Sequence, residues 1–273
     1  TRYSAGPLTG IGAAILGGTD NIVFGDYAVV LGGSRNCAYQ LAGTILGGLD
    51  NEVGGSYNAV VNGNYNCITS GTSNSVILGG TDNIIDRDNI GVAILGGLSN
   101  RIAKNSSRSL ILGGAEQVIG GEEPNMFGYV NYACGLKGGN ACYSYIIGGY
   151  SNTIWSGNCY STVLGGSNNQ INATKAEGKA NAPSTGWSHI IVSQSSRVCS
   201  NLSFILAGDS AVIETGANRS FILGANATIN APYSFVIGGT AVNIPSGHDC
   251  SAVISQIINN KNITSRGSKT LLL

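Results

Sequence analysis

The cysteines, histidines and carboxylates are the residues of this sequence that could do chemistry, and their spacing limits what that chemistry is. There are seven cysteines and two histidines in 273 residues. Neither His189 nor His248 belongs to a CxxC or HxxxH pair, so neither predicts a metal site. Acidic residues are too sparse to show the paired carboxylates that sugar-cleaving enzymes require. We therefore expect a non-enzymatic protein without a metal or other cofactor.

The cysteines are better explained by packing than by reactivity. Their odd number argues against a complete disulfide framework. Cys37, Cys67, Cys134 and Cys199 follow a recurring motif in the slot that elsewhere holds Ile or Val, which predicts small buried side chains. Cys142, Cys159 and Cys250 lie outside that slot, and a disulfide between two of them remains an alternative. Reduced thiols would fit assembly in a cytosol.

Composition excludes several classes of partner. Only 10% of the residues are charged, and 14 basic residues balance 14 acidic ones. No basic excess is available to neutralise phosphates, so we expect no nucleic-acid partner. No run of 18 apolar residues occurs, so we expect no membrane insertion. A hydrophobic fraction of 42% rules out disorder as the main state.

A short motif recurs along the chain and predicts its architecture. Two apolar residues precede a small one in AILGG at 14–18, VILGG at 76–80 and FVIGG at 235–239. We count fifteen copies, and successive copies are 14–17 residues apart except at two longer gaps. Their first small residues are Gly17, Gly32, Gly47, Asn62, Gly79, Gly96, Gly113, Gly128, Gly148, Gly165, Ser193, Ala207, Gly224, Gly238 and Ser255. This period is too short for helical repeats and suits one coil of two strands and two turns.

The fold class follows from this period. We expect an all-β, single-chain parallel β-solenoid, or β-roll, of about 15 coils, because the motif is rich in Val and Ile and the linking residues are Gly, Asn, Asp and Ser. At about 4.8 Å for each coil the stack would form a rod about 70 Å long. Almost no helix is expected, since no long segment has a 3.6-residue apolar period.

Positions inside the motif have distinct predicted roles. The Gly-Gly pair predicts a tight corner after the strand. Asn stands four residues past the first glycine in eight copies, for example Asn36 and Asn51, and stacked Asn residues form amide ladders. A second strand then returns an apolar side chain to the core. The residues expected there are Ile22, Val53, Ile84, Ile102, Val118, Ile154, Ile171 and Ile229.

The apolar pair itself predicts self-association. Neighbouring residues of a strand point to opposite faces, so a pair that is apolar throughout needs cover on both faces. The coil interior covers one face. A single coil offers nothing for the other, and we expect two further copies of the chain to cover it in a homotrimer.

The repeat also predicts how the chain is divided. We expect an N-terminal lead-in at 1–12, the solenoid at 13–258 and a C-terminal segment at 259–273, where TLLL starts a further copy. The period breaks at 119–145 and at 172–188, and insertions of this kind form loops on one face of a solenoid.

Aromatic residues concentrate in and between these two breaks. Exposed Tyr and Trp side chains stack on sugar rings or contact a protein receptor, so this set is our candidate receptor-binding site. The same residues could instead fill the groove between chains or fix the long loops. The set is Tyr129, Tyr132, Tyr143, Tyr145, Tyr150, Trp155, Tyr160 and Trp187.

Units such as SVILGGTDNII at 75–85 and STVLGGSNNQI at 161–171 resemble the head repeats of YadA-like trimeric autotransporter adhesins. They are also similar to repeats in the tail fibres of bacteriophages and the surface fibres of large DNA viruses. The resemblance covers residues 13–258. It implies a left-handed roll, three chains in each fibre and a role in attachment.

Two functions remain open from the sequence. The first is the shaft or head of a phage or virus fibre on the virion surface, which contacts a host-surface glycan or protein receptor and joins other fibre or virion proteins at its ends. The Leu-Gly-Gly motif favours this one, since adhesin heads usually have a slightly shorter repeat with Ala before Ile-Gly. The alternative is the head of a bacterial cell-surface adhesin, or a structural filament protein.

Overall fold

The computed structural model describes residues 10–120, 143–155, 158–171, 186–224, 226–238, 241–255, 263–264, 267–269 and 271–272. These residues form 29 short strands, numbered in chain order, and no helix. The strands make two sheets, one of 15 odd-numbered strands and one of 14 even-numbered strands. We call them the odd-strand sheet and the even-strand sheet.

The strands are two to four residues long. Those of the odd-strand sheet are β1 (Ala14–Ile15), β3 (Val29–Val30), β5 (Thr44–Ile45), β7 (Ala59–Val60), β9 (Val76–Ile77), β11 (Ala93–Ile94), β13 (Leu110–Leu112), β15 (Tyr145–Ile147), β17 (Thr162–Leu164), β19 (His189–Ile191), β21 (Phe204–Leu206), β23 (Phe221–Leu223), β25 (Phe235–Gly238), β27 (Ala252–Ser255) and β29 (Leu271–Leu272). Those of the even-strand sheet are β2 (Ile22–Val23), β4 (Cys37–Ala38), β6 (Glu52–Val53), β8 (Cys67–Ile68), β10 (Ile84–Ile85), β12 (Arg101–Ile102), β14 (Val118–Ile119), β16 (Thr153–Ile154), β18 (Gln170–Ile171), β20 (Arg197–Val198), β22 (Val212–Ile213), β24 (Thr228–Ile229), β26 (Val242–Ile244) and β28 (Ile263–Thr264).

Every strand pairs in parallel with the strand two places later in the chain. In the first coils Ala14 lies opposite Val29, and Ile22 lies opposite Cys37. One odd and one even strand therefore make one coil, and coils stack directly on each other. This confirms the all-β parallel solenoid that the period predicted.

The core is a column of aliphatic side chains between the two sheets. In the two-residue strands the second residue points inward, as Ile45 and Val53 do, and both are fully buried. The column forms one hydrophobic cluster from Val23 to Val253. Burying side chains of this size stabilises the fold by about 1.5–3 kcal/mol each.

The register of the even strands differs in part from the prediction. Val53, Ile102, Ile154, Ile171 and Ile229 are fully buried, as expected. Ile22 and Ile84, by contrast, are only half-buried, and the inward positions belong to the next residues, Val23 and Ile85. In β14 both Val118 and Ile119 are buried.

The Gly-Gly corners form as predicted, and in the corner at Gly32 and Gly33 the two glycines differ in conformation. Gly33 has φ +86°, and a Cβ on it would lie 2.2 Å from the carbonyl oxygen of Gly48 in the next coil. Gly32 has an ordinary φ, and a Cβ there would meet nothing within 4 Å. The second glycine of the pair is therefore needed for stacking, and the first is not.

A column of buried asparagines lies beside these corners and confirms the predicted amide ladder. Asn66 shows its pattern: its Nδ2 donates to Asn51 Oδ1 at 3.1 Å and to Gly80 O at 3.0 Å. Its Oδ1 accepts from the backbone N–H of Asn83 at 3.1 Å. Each amide therefore joins its own coil to the coils on both sides.

Replacing Asn66 with alanine is expected to destabilise the rod by about 2 kcal/mol. The change leaves the buried N–H of Asn83 and the carbonyl of Asn62 without their side-chain partner, and such groups cost about 1–3 kcal/mol. Thermal unfolding followed by circular dichroism measures the effect. Asn64→Ala is the matched control, because Asn64 is exposed two residues earlier. Equal midpoints for the two variants would contradict the role of the ladder.

The two breaks in the period leave the stack continuous. Leu110 in β13 lies directly opposite Tyr145 in β15, and Thr162 in β17 lies opposite His189 in β19. The copy counted at Gly128 lies outside the described residues.

Candidate binding surfaces

The outward face of the odd-strand sheet carries a continuous apolar stripe. Ile45 is fully buried while Leu46, the next residue, is 42% exposed. The same alternation places a side chain before and after each inward residue on the outer face. The members after it are Leu16, Leu31, Leu46, Val61, Leu78, Leu95, Leu112, Ile147, Leu164, Ile191, Leu206, Leu223, Ile237 and Ile254.

The residues before the inward position are mostly small or aromatic. They begin with Ala14, Val29, Thr44, Ala59, Val76 and Ala93, and continue as Leu110, Tyr145, Thr162, His189, Phe204, Phe221, Phe235, Ala252 and Leu271. Along the described strands this face therefore holds no Lys, Arg, Asp or Glu. Monomeric proteins rarely expose an apolar patch of this extent.

The outer face of the even-strand sheet is different. Glu52, Arg101 and Arg197 are the first residues of their strands and point outward. Asp86 and Glu214 directly follow β10 and β22 and point to the same side. Arg101 is paired with Asp86, and Arg197 with Glu214 at 2.8 Å. The two outer faces of the solenoid therefore differ in charge: one is apolar and the other carries ion pairs.

His189 begins β19 and lies on the apolar outer face of the odd-strand sheet. Its ring lies edge-on to Phe204 with 6.1 Å between ring centroids, and Phe204 stacks on Phe221 at 5.6 Å. Burial lowers the pKa of His189, because the charged imidazolium loses water there. The side chain is therefore neutral at pH 7, in keeping with an apolar surface.

Three of the eight candidate aromatic residues come together at one corner of the solenoid. Tyr143 stacks on Tyr160 with 5.0 Å between centroids, and Tyr160 stacks on Trp187 at 4.9 Å. Arg108 covers Tyr143 from the preceding coil, 5.3 Å from its ring centre, and its Nη1 donates to the Tyr143 hydroxyl at 3.0 Å. We call these four residues the corner stack.

The aromatic residues of the corner stack share a backbone conformation that recurs at the turns of the solenoid. Tyr143, Tyr160 and Trp187 all have φ between +55° and +60°, where bulky residues are rare. Ring stacking between successive coils offsets the strain, at about 0.5–1.5 kcal/mol for each pair. Because the ring faces cover each other, the stack offers a partner mainly ring edges and hydroxyl groups.

The remaining candidates lie elsewhere. Tyr145 is in β15 on the apolar face, and Tyr150 lies between Ala115 and Ser167 with its hydroxyl donating to Glu116 at 3.2 Å. Trp155 follows β16 on the outer face of the even-strand sheet. Tyr129 and Tyr132 lie outside the described residues. The eight candidates therefore do not form a single site.

The cysteines only partly match their predicted slot. Cys199 is buried, as expected, but the inward residue of that coil is the preceding Val198, and Cys199 lies outside the core cluster. Cys37 and Cys67 instead begin β4 and β8 on the outer face and are half-buried, so their assignment to the interior was wrong. Burial raises the pKa of Cys67 to about 12 and that of Cys199 to about 11, which keeps both thiols protonated and unreactive. Cys134 lies outside the described residues.

Sequence reasoning missed a shallow trough on the outer face of the even-strand sheet. Successive coils place Phe24, Tyr39, Gly54, Thr69, Asp86, Ala103, Gly120 and Trp155 side by side on this face. Small residues thus lie between the aromatic side chains of Tyr39 and Trp155. Near Asp86 the side chains line an open hollow of about 350 Å³. Aligning the coils by their period would have revealed the run of small side chains.

Other kinds of site find no support in the described part of the chain. It contains no group of three His, Cys, Asp or Glu residues that could hold a metal ion. No helix there is long and apolar enough to cross a membrane. No protein-family model and no curated protein sequence matches the chain. Fold and surface together define a parallel β-solenoid repeat protein with one apolar and one charged outer face.

Proposed function

We propose that this chain is one of three in a homotrimeric fibre, a left-handed rod of about fifteen coils with a structural and attachment role. The observation that carries the proposal is the apolar outer face of the odd-strand sheet, which runs through the described strands β1 to β29 without a charged residue. In a trimer with a threefold axis, this face of each copy would turn to the axis. Leucines of one level, such as the three copies of Leu95, would then pack together.

The repeat favours parallel copies in register around a closed rotation axis. Each coil repeats the same apolar pair at the same height, so copies that start at one level match along their whole length. Closed rotational symmetry leaves no apolar stripe uncovered, whereas an open arrangement would keep adding chains. The charged even-strand sheet then forms the outside of the rod and keeps it soluble.

The proposed location is the virion surface of a phage or large virus. There the rod would join other fibre proteins at its ends and present the corner stack to a host-surface receptor. The solution mass tests the assembly: we expect about three times the 27.8 kDa of one chain. A mass of one chain at micromolar concentration, with folded β-structure, would contradict the trimer.

Trp187→Ala is expected to weaken attachment to host cells at least about 10-fold. Trp187 is 58% exposed at the end of the corner stack, and exposed Trp residues dominate many binding interfaces. The measurement is binding of fluorescently labelled trimer to cells or to an array of surface glycans. Tyr57→Ala is the matched control, because Tyr57 is 60% exposed and has the same positive φ but lies outside the corner stack. Equal binding by both variants would remove the corner stack from the receptor site.

A further inference from the structure

We infer that the trough on the outer face of the even-strand sheet binds an acidic saccharide. The inference rests on the proposed attachment function and gives it a second contact surface with a defined ligand chemistry. The hollow of about 350 Å³ lies within the range of small-molecule sites. Its polar lining consists of Thr69, Ser70, Asp86, Arg87, Arg101 and Lys104.

The shape of the trough comes from the side chains that stack along it. Thr69, Asp86 and Ala103 occupy the same position in successive coils, since each backbone N–H bonds to the following coil in the same register. Ala103 is buried and short, so it leaves room beside the longer Asp86. A ligand in this space would lie along the rod axis and touch three coils.

The charges in the trough favour an anion. The hollow is lined by three basic side chains, Arg87, Arg101 and Lys104, and by one carboxylate, Asp86. Basic side chains therefore outnumber carboxylates in this lining, on a chain whose net charge is zero. Arg101 is held in place by Asp86, because its Nε, at 2.8 Å, and its Nη2 both donate to the Oδ2 atom of Asp86. Arg87 lies 3.9 Å from Asp88, and both side chains are more than half exposed. An incoming carboxylate or sulfate would therefore meet one fixed guanidinium and one exposed one.

Hydroxyl chemistry points to a sugar. The Thr69 Oγ1 atom is buried and makes no hydrogen bond to any described residue. The exposed Ser70 also lines the hollow, and the Asp86 carboxylate is a strong acceptor for ligand hydroxyl groups. A saccharide with a carboxylate or sulfate group supplies both the anion and the hydroxyls that this lining can bond.

The position on the rod suits attachment. This face lies opposite the apolar face, so in the proposed trimer it points to solvent on all three chains. Three sites on one rigid fibre would raise the avidity for a surface that carries many acidic sugars. The same coil continues from Lys104 to Arg108 of the corner stack, which brings the two candidate surfaces close along the chain.

The experiment is titration calorimetry of the intact chain with sialyllactose, with a galacturonate oligosaccharide and with a heparin hexasaccharide. Neutral lactose is the control ligand. We expect at least one acidic saccharide to bind and lactose not to bind. The Arg87→Gln, Lys104→Gln double variant should weaken that binding at least about 10-fold, since each charged contact is worth about tenfold or more. Higher salt should weaken it as well.

Lys269→Gln is the matched control variant, because Lys269 is an exposed lysine at the far end of the rod. It should bind like the unchanged chain, and circular dichroism should show all variants folded. No binding of any acidic saccharide at millimolar concentration, or equal binding by the double variant, overturns the inference. The mass of the same samples separates this failure from failure of the trimer, because an intact trimer without saccharide binding contradicts only the trough.

Discussion

The Leu95→Asp variant should fold and yet fail to assemble. Leu95 follows the inward Ile94 on the apolar face, so a carboxylate there leaves the coil interior intact. In a trimer the change would place three unpaired carboxylates at one level of a water-free axis. Each costs several kcal/mol to bury, so the concentration needed for assembly should rise more than about 1,000-fold. Light scattering after size-exclusion chromatography measures the mass.

Two matched variants make this result specific. Ile94→Asp puts the same charge one residue earlier, in the fully buried column, and should abolish folded β-structure. Val212→Asp places it on the outer face of the even-strand sheet beside Arg197, where the trimer should persist. A Leu95→Asp trimer that survives at micromolar concentration would show that the apolar face has another purpose.

The Gly33→Ala variant should lose about 3 kcal/mol or more of stability. The new methyl group would lie 2.2 Å from the backbone carbonyl of Gly48 and 2.6 Å from the Asn36 side-chain nitrogen. Alanine at φ +86° adds backbone strain of about 1–2 kcal/mol. Because a backbone atom of the next coil is in the way, local side-chain movement cannot relieve the contact. Chemical denaturation followed by circular dichroism measures the loss.

Gly32→Ala is its matched control. The neighbouring glycine has open space around the added methyl group and an ordinary φ, so its change should cost less than about 1 kcal/mol. If both variants unfold at the same denaturant concentration, close stacking at the second glycine does not limit the stability of the rod.

The fold was predictable because the same physical requirement recurs in every coil. A short, nearly constant period with an apolar pair and two glycines fits few structures, and the pair itself showed that one residue faces inward and one outward. The asparagine ladder was also predictable, since buried Asn needs partners that only a stacked copy supplies.

The register of the even strands was harder to predict because Ile and Val occupy both of their positions. In β10, Ile84 and Ile85 are equally apolar, and the sequence there does not say which is inside. Other coils indicate the register, because their first strand residues are charged and must face outward. These residues are Glu52 in β6, Arg101 in β12 and Arg197 in β20. The same rule would have placed Cys37 and Cys67 outside.

The candidate surfaces depended on contacts that one coil does not show. The corner stack forms because Tyr143, Tyr160 and Trp187 share one corner, although the sequence between Tyr160 and Trp187 departs from the period. β13 pairs directly with β15, although the copy counted at Gly128 stands between them in the sequence. Such a long-range pairing cannot be predicted from the local pattern.

Direct contact between each coil and its two neighbours has a consequence for how the rod is made. The first coils must close without a template, which is the slow nucleation step, whereas later coils add onto an exposed edge that already displays the bonding pattern. Coils then add one after another along the chain, and one defective coil interrupts the folding cooperativity between the coils on its two sides. The solenoid therefore behaves as a one-dimensional array in which the stability of each coil depends on its two neighbours.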